Sequence, residues 1–320
     1  MKESLIREAL EQYGLENEPW ELIRHNENMT VNVNSKYLLR VHLHADGFST
    51  DVYYDGLDRA AIRKTELNFL LHLARNGLPV QTPVANRRGE FLTMLQNDIC
   101  ATLLRWIPGR TPNETDVPKG VYFRAGAMTA RMHKAAAGFP LENMLRYDAS
   151  FCRRLQVSFA KANHESLLSA EHAEIFQAAC RVIETRLDPD DHIAVHADLS
   201  SSNILVTDTG LVPIDFSLMG VGHPMMDISS LYGSVNGIDA RRAVAEGYRS
   251  EGGSISFPEL DACFALNILL YIALHLNRSA KDDRFINNLN RWQRETFGPL
   301  AAGKRLIADD FRMLNVPDSA

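Results

Sequence analysis

The sequence predicts an α+β chain of two lobes, a small antiparallel sheet followed by a larger and mainly helical part. Three observations lead there. Short β-rich runs alternate with polar turns through the first hundred residues. Long patterns of helical period dominate after Pro108-Gly109. One compact β segment interrupts them between His192 and Phe216. The expected division is residues 1–105 for the small lobe and 106–320 for the larger one.

Taken in order, MKESLIREALEQYG reads as an amphipathic helix ending at Gly14, not as a signal peptide with an apolar centre and a small-residue cleavage site. Strands are expected at WELIR (20–24), MTVNV (29–33), KYLLRVH (36–42), EFLTML (90–95) and ICATLLRW (99–106), with turns at Asn34-Ser35, Arg88-Gly89 and Asn97-Asp98. One helix, about 57–77, interrupts them and closes at Gly77. Beyond the connector, helical periods cover roughly 118–138, 150–166, 171–186, 239–250, 257–279 and 284–296. Asp188, Asp190 and Asp191 read as a solvated turn. The most apolar stretch, Ala262 to Leu276, is shorter than the ~20 residues of a membrane span and contains Asn267 and His275, so it reads as a buried helix.

The chain has 320 residues, 45% hydrophobic and 23% charged, enough to bury a substantial core. Its 34 Lys and Arg against 40 Asp and Glu give a net charge of -6, without the basic field that gathers nucleic acid or anionic membrane. No nucleic-acid or membrane partner is expected. Cys100, Cys152, Cys180 and Cys263 are far apart with no CxxC pair, which argues against a zinc site or disulfide scaffold and for a reducing, cytoplasmic compartment.

Chemistry concentrates in HIAVHADLSSSNILVTDTGLVPIDFSLMGVGHPMMDIS, residues 192–229. NILVTDTGLVPID reads as a β-hairpin around a three-residue loop, Asp208-Thr209-Gly210. That register pairs Thr207 with Leu211, Leu205 with Pro213, and Asn203 with Asp215. It puts Ile204, Val206, Val212 and Ile214 on a buried face, with Asn203 and Asp215 together on the other. An amide oxygen and a carboxylate so placed can ligate one hard cation such as Mg²⁺, which accepts few protein ligands. Asp198, in the loop before the hairpin, suits acceptance of a proton from an attacking hydroxyl.

The pattern H-A-D-L-x-x-x-N, then I-D-F, then G-x-G-x-P-x-x-D-I, within the 32 residues from His196 to Asp227, resembles the aminoglycoside phosphotransferase and choline kinase-like family, a branch of the protein-kinase-like fold. The HADL form and chain length lie nearer its homoserine-kinase-like members. The resemblance implies an ATP-dependent phosphotransferase acting on a small-molecule hydroxyl, with ATP and Mg²⁺ bound between the lobes. It makes Asp198 the catalytic base, Asn203 and Asp215 the magnesium ligands, and His196 and Asp227 supports of the catalytic loop. His133 matches a position where the family often has histidine, and reads equally as a packed core residue.

In the small lobe, Ile62, Phe69, Leu70 and Leu73 define an apolar stripe from which Glu66 projects, and a charge on a buried face needs a partner. Arg40 is the candidate, and the resemblance agrees, since a basic residue there commonly pairs with the helix glutamate and reaches the nucleotide phosphates. Two separate surface ion pairs are the alternative. The loop His25–Thr30 occupies the position of a phosphate-covering loop but has no glycine; Asn28 and Thr30 are its expected contacts. The connector Leu104-Arg105-Trp106-Ile107-Pro108-Gly109 resembles the family's hinge, so Arg105, Trp106 and Ile107 are expected at the adenine edge, unless it is a plain interlobe turn.

Ser200 stands where a cation is usual in protein kinases and many small-molecule kinases, leaving Arg40 and magnesium to neutralise more of the transferred charge. The glycine-free loop and Ser200 support an alternative function, a nucleotide-binding pseudokinase or regulatory module. For the acceptor, Asp282, Asp283, Glu295, Tyr271 and Trp292 read either as a pocket for a cationic amino alcohol or as a solvated helix face. His42 and His44 read as surface or interlobe residues.

Overall fold

The computed structural model describes residues 2–48, 50–54, 56–112, 120–187 and 189–316. Asp188 and the first two residues of the helix predicted from 118 lie outside them; Pro189–Asp191 form a short 3₁₀ turn. The small lobe contains α1 (Lys2–Tyr13), β1 (Trp20–His25), β2 (Met29–Val33), β3 (Tyr37–Val41), β4 (Pro83–Val84), β5 (Leu92–Met94) and β6 (Cys100–Arg105), with α3 (Arg59–Arg75) between β3 and β4. The strands form one antiparallel sheet in the order β1-β2-β3-β6-β4, with β5 also pairing β6. Asn34 and Ser35 adopt positive φ in the β2–β3 turn, as do Asn97 and Asp98 before β6, a conformation that Asn and Asp tolerate better than most residues.

Two helices pack on this sheet, not one. α1 buries Leu5, Ile6, Ala9 and Leu10 against Met29, Val31, Val33, Leu39 and Val41. On strands of period 2 the alternate residues face the other way, so Thr30, Arg40 and Thr102, paired across β2, β3 and β6, point to the α3 side. Asp58 caps α3 by accepting from the Ala60 and Ala61 amides, and Gly77 follows its end at φ +81°.

One segment of the first hundred residues belongs with the large lobe. In α2 (Asp51–Tyr54), Tyr53 is fully buried, donates to the Leu270 carbonyl at 3.4 Å and packs edge-on against Tyr147.

The large lobe runs α4 (Val121–Ala136), β7 (Leu145–Arg146), α5 (Ala149–His164), α6 (Ala170–Arg186), β8 (Ile193–Val195), β9 (Ile204–Thr207), β10 (Gly210–Pro213), β11 (Gly220–Gly222), α7 (Met225–Ser234), α8 (Ile238–Ser250), α9 (Phe257–Ser279), α10 (Asp283–Trp292) and α11 (Gly298–Ala301). β7, β11 and β8 make a small mixed sheet. α9 is apolar enough in composition to cross a bilayer, yet most of it is packed in the lobe, with Leu260, Cys263, Leu266 and Leu269 wholly buried. The four cysteines are free and buried. α7 was not predicted. Met225, Met226, Asp227, Ile228 and Ser229 are all buried, so the helix shows no amphipathic stripe in the sequence.

The predicted hairpin exists with a different register. Thr207 pairs with Gly210, Val206 with Leu211, Leu205 with Val212, and Ile204 with Pro213, around the two-residue turn Asp208-Thr209. Thr207 Oγ1 closes that turn, accepting from the Thr209 amide at 3.3 Å and donating to the Gly210 carbonyl at 3.0 Å. The slip regroups the faces, so Ile204 and Val206 share theirs with Leu211 and Pro213. Asn203 then lies opposite Ile214, whose amide donates to its carbonyl at 2.9 Å, and not opposite Asp215.

α4 and α8 cross at two glycines. A Cβ on Gly126 would lie 1.9 Å from the Val244 carbonyl oxygen, and one on Gly247 would lie 1.9 Å from that of Phe123. Both spacings are far inside contact distance, so each backbone approaches through the gap where the other has no side chain. Gly126→Ala and Gly247→Ala are each expected to lower stability by roughly 3 kcal/mol in urea or thermal unfolding, because neither backbone can retreat without moving a helix. An exposed glycine such as Gly138, at φ +77° with open space around it, should cost clearly less on the same substitution.

Candidate active site

The loop after β8 is organised by one buried carboxylate. Asp227, in the first turn of α7, is fully buried; it accepts from the His196 amide at 3.1 Å and the Ala197 amide at 2.8 Å, and from His133 Nε2 at 2.9 Å. Burial alone would raise its pKa, but the His133 hydrogen bond and the nearby imidazoles outweigh that and hold it below the usual carboxylate range. His133 Nδ1 lies 3.0 Å from the Tyr248 hydroxyl, so the α4–α8 crossing sets the histidine that orients Asp227. Ala197 adopts φ +65°, a conformation disfavoured for an L-residue, and the bond from its amide holds it there. His196 reaches the hairpin, donating from Nε2 to the Ile214 carbonyl at 2.9 Å, while its Nδ1 faces the Asp198 amide at 3.3 Å.

Asp198, Asn203 and Asp215 line one cleft between the lobes despite the changed register. Asn203 closes the 3₁₀ turn Ser201–Asn203, and Asp215 sits at φ 63°, ψ 66° just beyond the hairpin. The Asn203 amide nitrogen donates to both the carbonyl and the carboxylate of Asp198, each at 2.8 Å, which leaves its Oδ1 free of that pair. Asp215 Oδ2 accepts from Arg24 at 2.6 Å. Its Oδ1 lies 3.3 Å from Arg40 as an ion pair, yet is buried and receives no hydrogen bond among the described residues. An amide oxygen and an underused carboxylate oxygen fit a hard divalent cation that keeps some of its waters.

Charge separates the two aspartates. Burial, then Asp215 and Glu27, push the Asp198 carboxyl up to about 7 against the lowering effect of Asn203. Burial also acts on Asp215, but Arg40 and Arg24 overcome it and hold that group well below the usual range. One carboxylate is thus set to bind cations and the other to exchange a proton near neutral pH.

In the small lobe Arg40 meets Glu66 at 2.6 Å, both buried, as the apolar stripe requires. Arg63 is a second partner that sequence reasoning missed. It bonds Glu66 at 3.1 Å and the Ser217 carbonyl at 2.9 Å, linking α3 to the chain just after Asp215. Three residues from Glu66, it has the spacing of an ordinary surface pair. Glu27 also enters the cleft. Its Oε1 is buried without a hydrogen bond, and burial pushes the carboxyl up to about 7 against the pull of Arg63.

Other expected contacts have different duties. Asn28 lines the cleft, but its Oδ1 is taken by His42 Nδ1 at 2.9 Å, so His42 braces the loop from behind. Thr30 lines the cleft. Arg105, Trp106 and Ile107 do not. The Arg105 amide donates to the Thr82 carbonyl and the Trp106 amide to that of Lys36, so those donors serve the sheet and are not offered to an adenine edge. Just beyond, Arg110 bridges Val206, and Gly109 lets the connector approach the hairpin, since a Cβ there would lie 2.9 Å from the Val206 oxygen.

The cleft, a cavity of about 670 Å³, continues from Asp198 to Asn267, Tyr271, Trp292 and Glu295. Asp282 does not reach it; its carboxylate caps α10 at the Arg284 and Phe285 amides, and Asp283 is exposed. α10 passes into a π-helical turn, Gln293–Phe297, directly where Trp292, Glu295 and Thr296 line the wall.

Residues 25–263 match the phosphotransferase enzyme family, from the end of β1 to within α9 and across the whole motif. The chain belongs to that family. Within the phosphotransferase enzyme family it is similar to a homoserine kinase of Neisseria meningitidis serogroup B, 32% identical over 52% of this chain and 54% of the relative. It is also 24% identical to an amicoumacin kinase of Bacillus subtilis, over 72% of this chain and 67% of that one. The chain spans about half the length of the homoserine kinases it matches. Solved structures share its protein-kinase-like fold. An amicoumacin kinase in complex with AMP-PNP, Ca²⁺ and Ami superposes with a TM-score of 0.72 at 18% identity, covering 95% of this chain and 94% of that one. A microcompartment-associated aminopropanol kinase also gives 0.72 at 20% identity, covering 93% and 98%.

The Glu27 carboxyl is raised in the folded chain, so the stability it contributes is complete below the ordinary value of 4.5 and is lost as pH rises through about 7. Glu27→Gln is expected to melt higher than wild type at pH 8, by on the order of 2 kcal/mol of unfolding free energy, and to converge with it below pH 5. Denaturation at the two pH values checks this.

Proposed function

We propose that this chain transfers the γ-phosphoryl group of ATP to a hydroxyl of a small molecule, with residues 1–105 serving the nucleotide and 106–320 the acceptor. One observation carries the reading. A carboxyl poised near neutrality, Asp198, is hydrogen-bonded by the amide of Asn203, whose own oxygen and that of Asp215 remain available at the same cleft. Asn203 and Asp215 would hold Mg²⁺, which when bound neutralises charge on the nucleotide phosphates. Asp198 accepts the proton of the acceptor hydroxyl as that oxygen bonds to the γ-phosphorus and the bond from phosphorus to the β-bridging oxygen breaks. Arg40, buried and fixed by Glu66, directs a guanidinium at the same cleft end through its pair with Asp215. His196 and Asp227 hold the loop backbone, so the base is in place before substrate arrives. Thr30, on the cleft wall, would lie beside the phosphates. The buried free cysteines suit a reducing, cytoplasmic setting.

The acceptor end favours a hydroxylated amine. Asn267 donates from Nδ2 to the Met226 carbonyl and to Ser229 Oγ, each at 2.9 Å, which fixes its orientation, and its Oδ1 is buried without a donor. Tyr271 and Trp292 meet edge to face with centroids 5.8 Å apart, and the mostly buried Glu295 carboxylate lies on the same wall. The Asn267 and Glu295 oxygens suit an ammonium group, on a wall where His275 stacks on Tyr271 and Arg291 lies over the Trp292 ring. The relatives named for amicoumacin, homoserine and aminopropanol are consistent with that class.

Asp198→Ala should keep Mg²⁺-ATP affinity within about threefold while turnover falls ~10³-fold, as for loss of a general base. Calorimetry gives the first. ATP consumption with hydroxylated amines, amino acids and sugars, followed by mass detection of a product heavier by one phosphate, gives the second. Retained turnover removes Asp198 as base, and nucleotide binding without product from wild type across the screen returns the chain to a pseudokinase role. Gly298→Ala tests the acceptor wall. Its Cβ would lie 2.9 Å from the Gln293 carbonyl that closes the π turn, so acceptor KM should rise several-fold with nucleotide KM unchanged.

A further inference from the structure

Arg24 is used by neither the motif nor the chemistry above. β1 is the edge strand, and its pairing with β2 slips between Leu22, opposite Val31, and Arg24, opposite Thr30. Such a bulge inserts one residue, here Ile23, and re-aims the side chains around it. Arg24 crosses from the small lobe to the large one and donates to Asp215 Oδ2 at 2.6 Å. With its side chain 54% exposed, it makes that one hydrogen-bonded pair among the described residues.

The two guanidinium groups on Asp215 are held very differently. Arg40 is buried and anchored by Glu66, whereas Arg24 is half in water with no second anchor. Of the two, Arg24 is the one free to yield Asp215 to a divalent cation. The other arginines of the cleft wall, Arg241 and Arg291, belong to α8 and α10 of the large lobe and make no ion pair with Asp215. Arg63 is tied to Glu66 and the Ser217 carbonyl, and the Ser200 hydroxyl pairs with that of Ser202 at 2.7 Å. The β1–β2 loop contains no glycine to bring its amides close to phosphate.

We propose that Arg24 is an exchangeable counterion. It neutralises Asp215 in the ligand-free chain, cedes that carboxylate to the divalent cation, and then serves as the cation that Ser200 does not provide, facing the nucleotide phosphates from the first strand. The proposal rests on the phosphotransferase reading for its second half only; the exchange at Asp215 needs no acceptor and no turnover.

The exchange predicts effects of opposite sign from one substitution, which loss of a merely structural contact does not. In Arg24→Ala, Mn²⁺ alone, followed by electron paramagnetic resonance without nucleotide, should bind several-fold more tightly than in wild type. Mg²⁺-ATP, measured by calorimetry, should bind several-fold more weakly, and Arg24→Lys should fall between wild type and Arg24→Ala in both. Mn²⁺ binding that is unchanged or weaker in Arg24→Ala overturns the exchange. Mg²⁺-ATP binding that is unchanged or tighter overturns the transfer of Arg24 to the phosphates. A thermal midpoint within a few degrees of wild type is expected for an edge-strand, half-exposed position. If wild type forms no phosphorylated product across the acceptor screen, the functional reading fails while the Mn²⁺ comparison still decides the exchange.

Discussion

A carboxylate without solvent contact is tolerable only when every lone pair it exposes is met by a donor, and Asp227 meets that demand by drawing in the backbone of the loop before Asp198. The loop geometry therefore follows from the needs of a buried charge. His133 completes the set from α4, and Tyr248 orients His133 from α8. Those two helices lie close enough only because Gly126 and Gly247 have no side chains. The shape of one helix crossing is thus transmitted, through two rings and one carboxylate, to the aspartate at the cleft.

The cleft is a second balance of charge, resolved with less symmetry. Asp198, Asp215 and Glu27 act on one another, while Arg24, Arg40 and Arg63 answer them unevenly. Glu66 takes two of the arginines, leaving Asp215 the best compensated of the cleft-facing carboxylates and Asp198 and Glu27 the least. Buried ion pairs of this kind add little stability compared with apolar packing of the same volume. Their effect here is to give chemically identical carboxyl groups different proton affinities within one cavity.

Much of this was legible in the sequence because it rests on local patterns. The longer strands, the helix boundaries and the motif from His196 to Asp227 follow from period, turn chemistry and residue order, whereas β4, β7 and β11, of two or three residues each, are too short to show a period. The Arg40–Glu66 pair follows from a charge embedded in an apolar stripe. What escaped depends on three-dimensional context. The hairpin register turned on a hydroxyl, that of Thr207, closing a shorter loop. α7 buries its whole first turn, Asp227 included, and its open face carries only Ser230, Gly233 and Ser234, so no charged or strongly polar stripe marks it in the sequence. Arg63 has the spacing of a surface pair, and Arg24 reaches its partner only through a bulge. The connector resembled a nucleotide-binding hinge, yet the amides of Arg105 and Trp106 are spent on sheet carbonyls. Of the three residues expected there, only the Ile107 amide has no backbone acceptor among the described residues.

Because Tyr53 is lodged in the large lobe while the strands before it and α3 after it belong to the small one, the polypeptide passes between the halves three times. A body secured to another at several separated points loses most of its freedom to slide or twist and keeps chiefly rotation about the line joining them. Any relative movement of the halves must therefore be absorbed by three stretches of backbone at once and not by a single hinge.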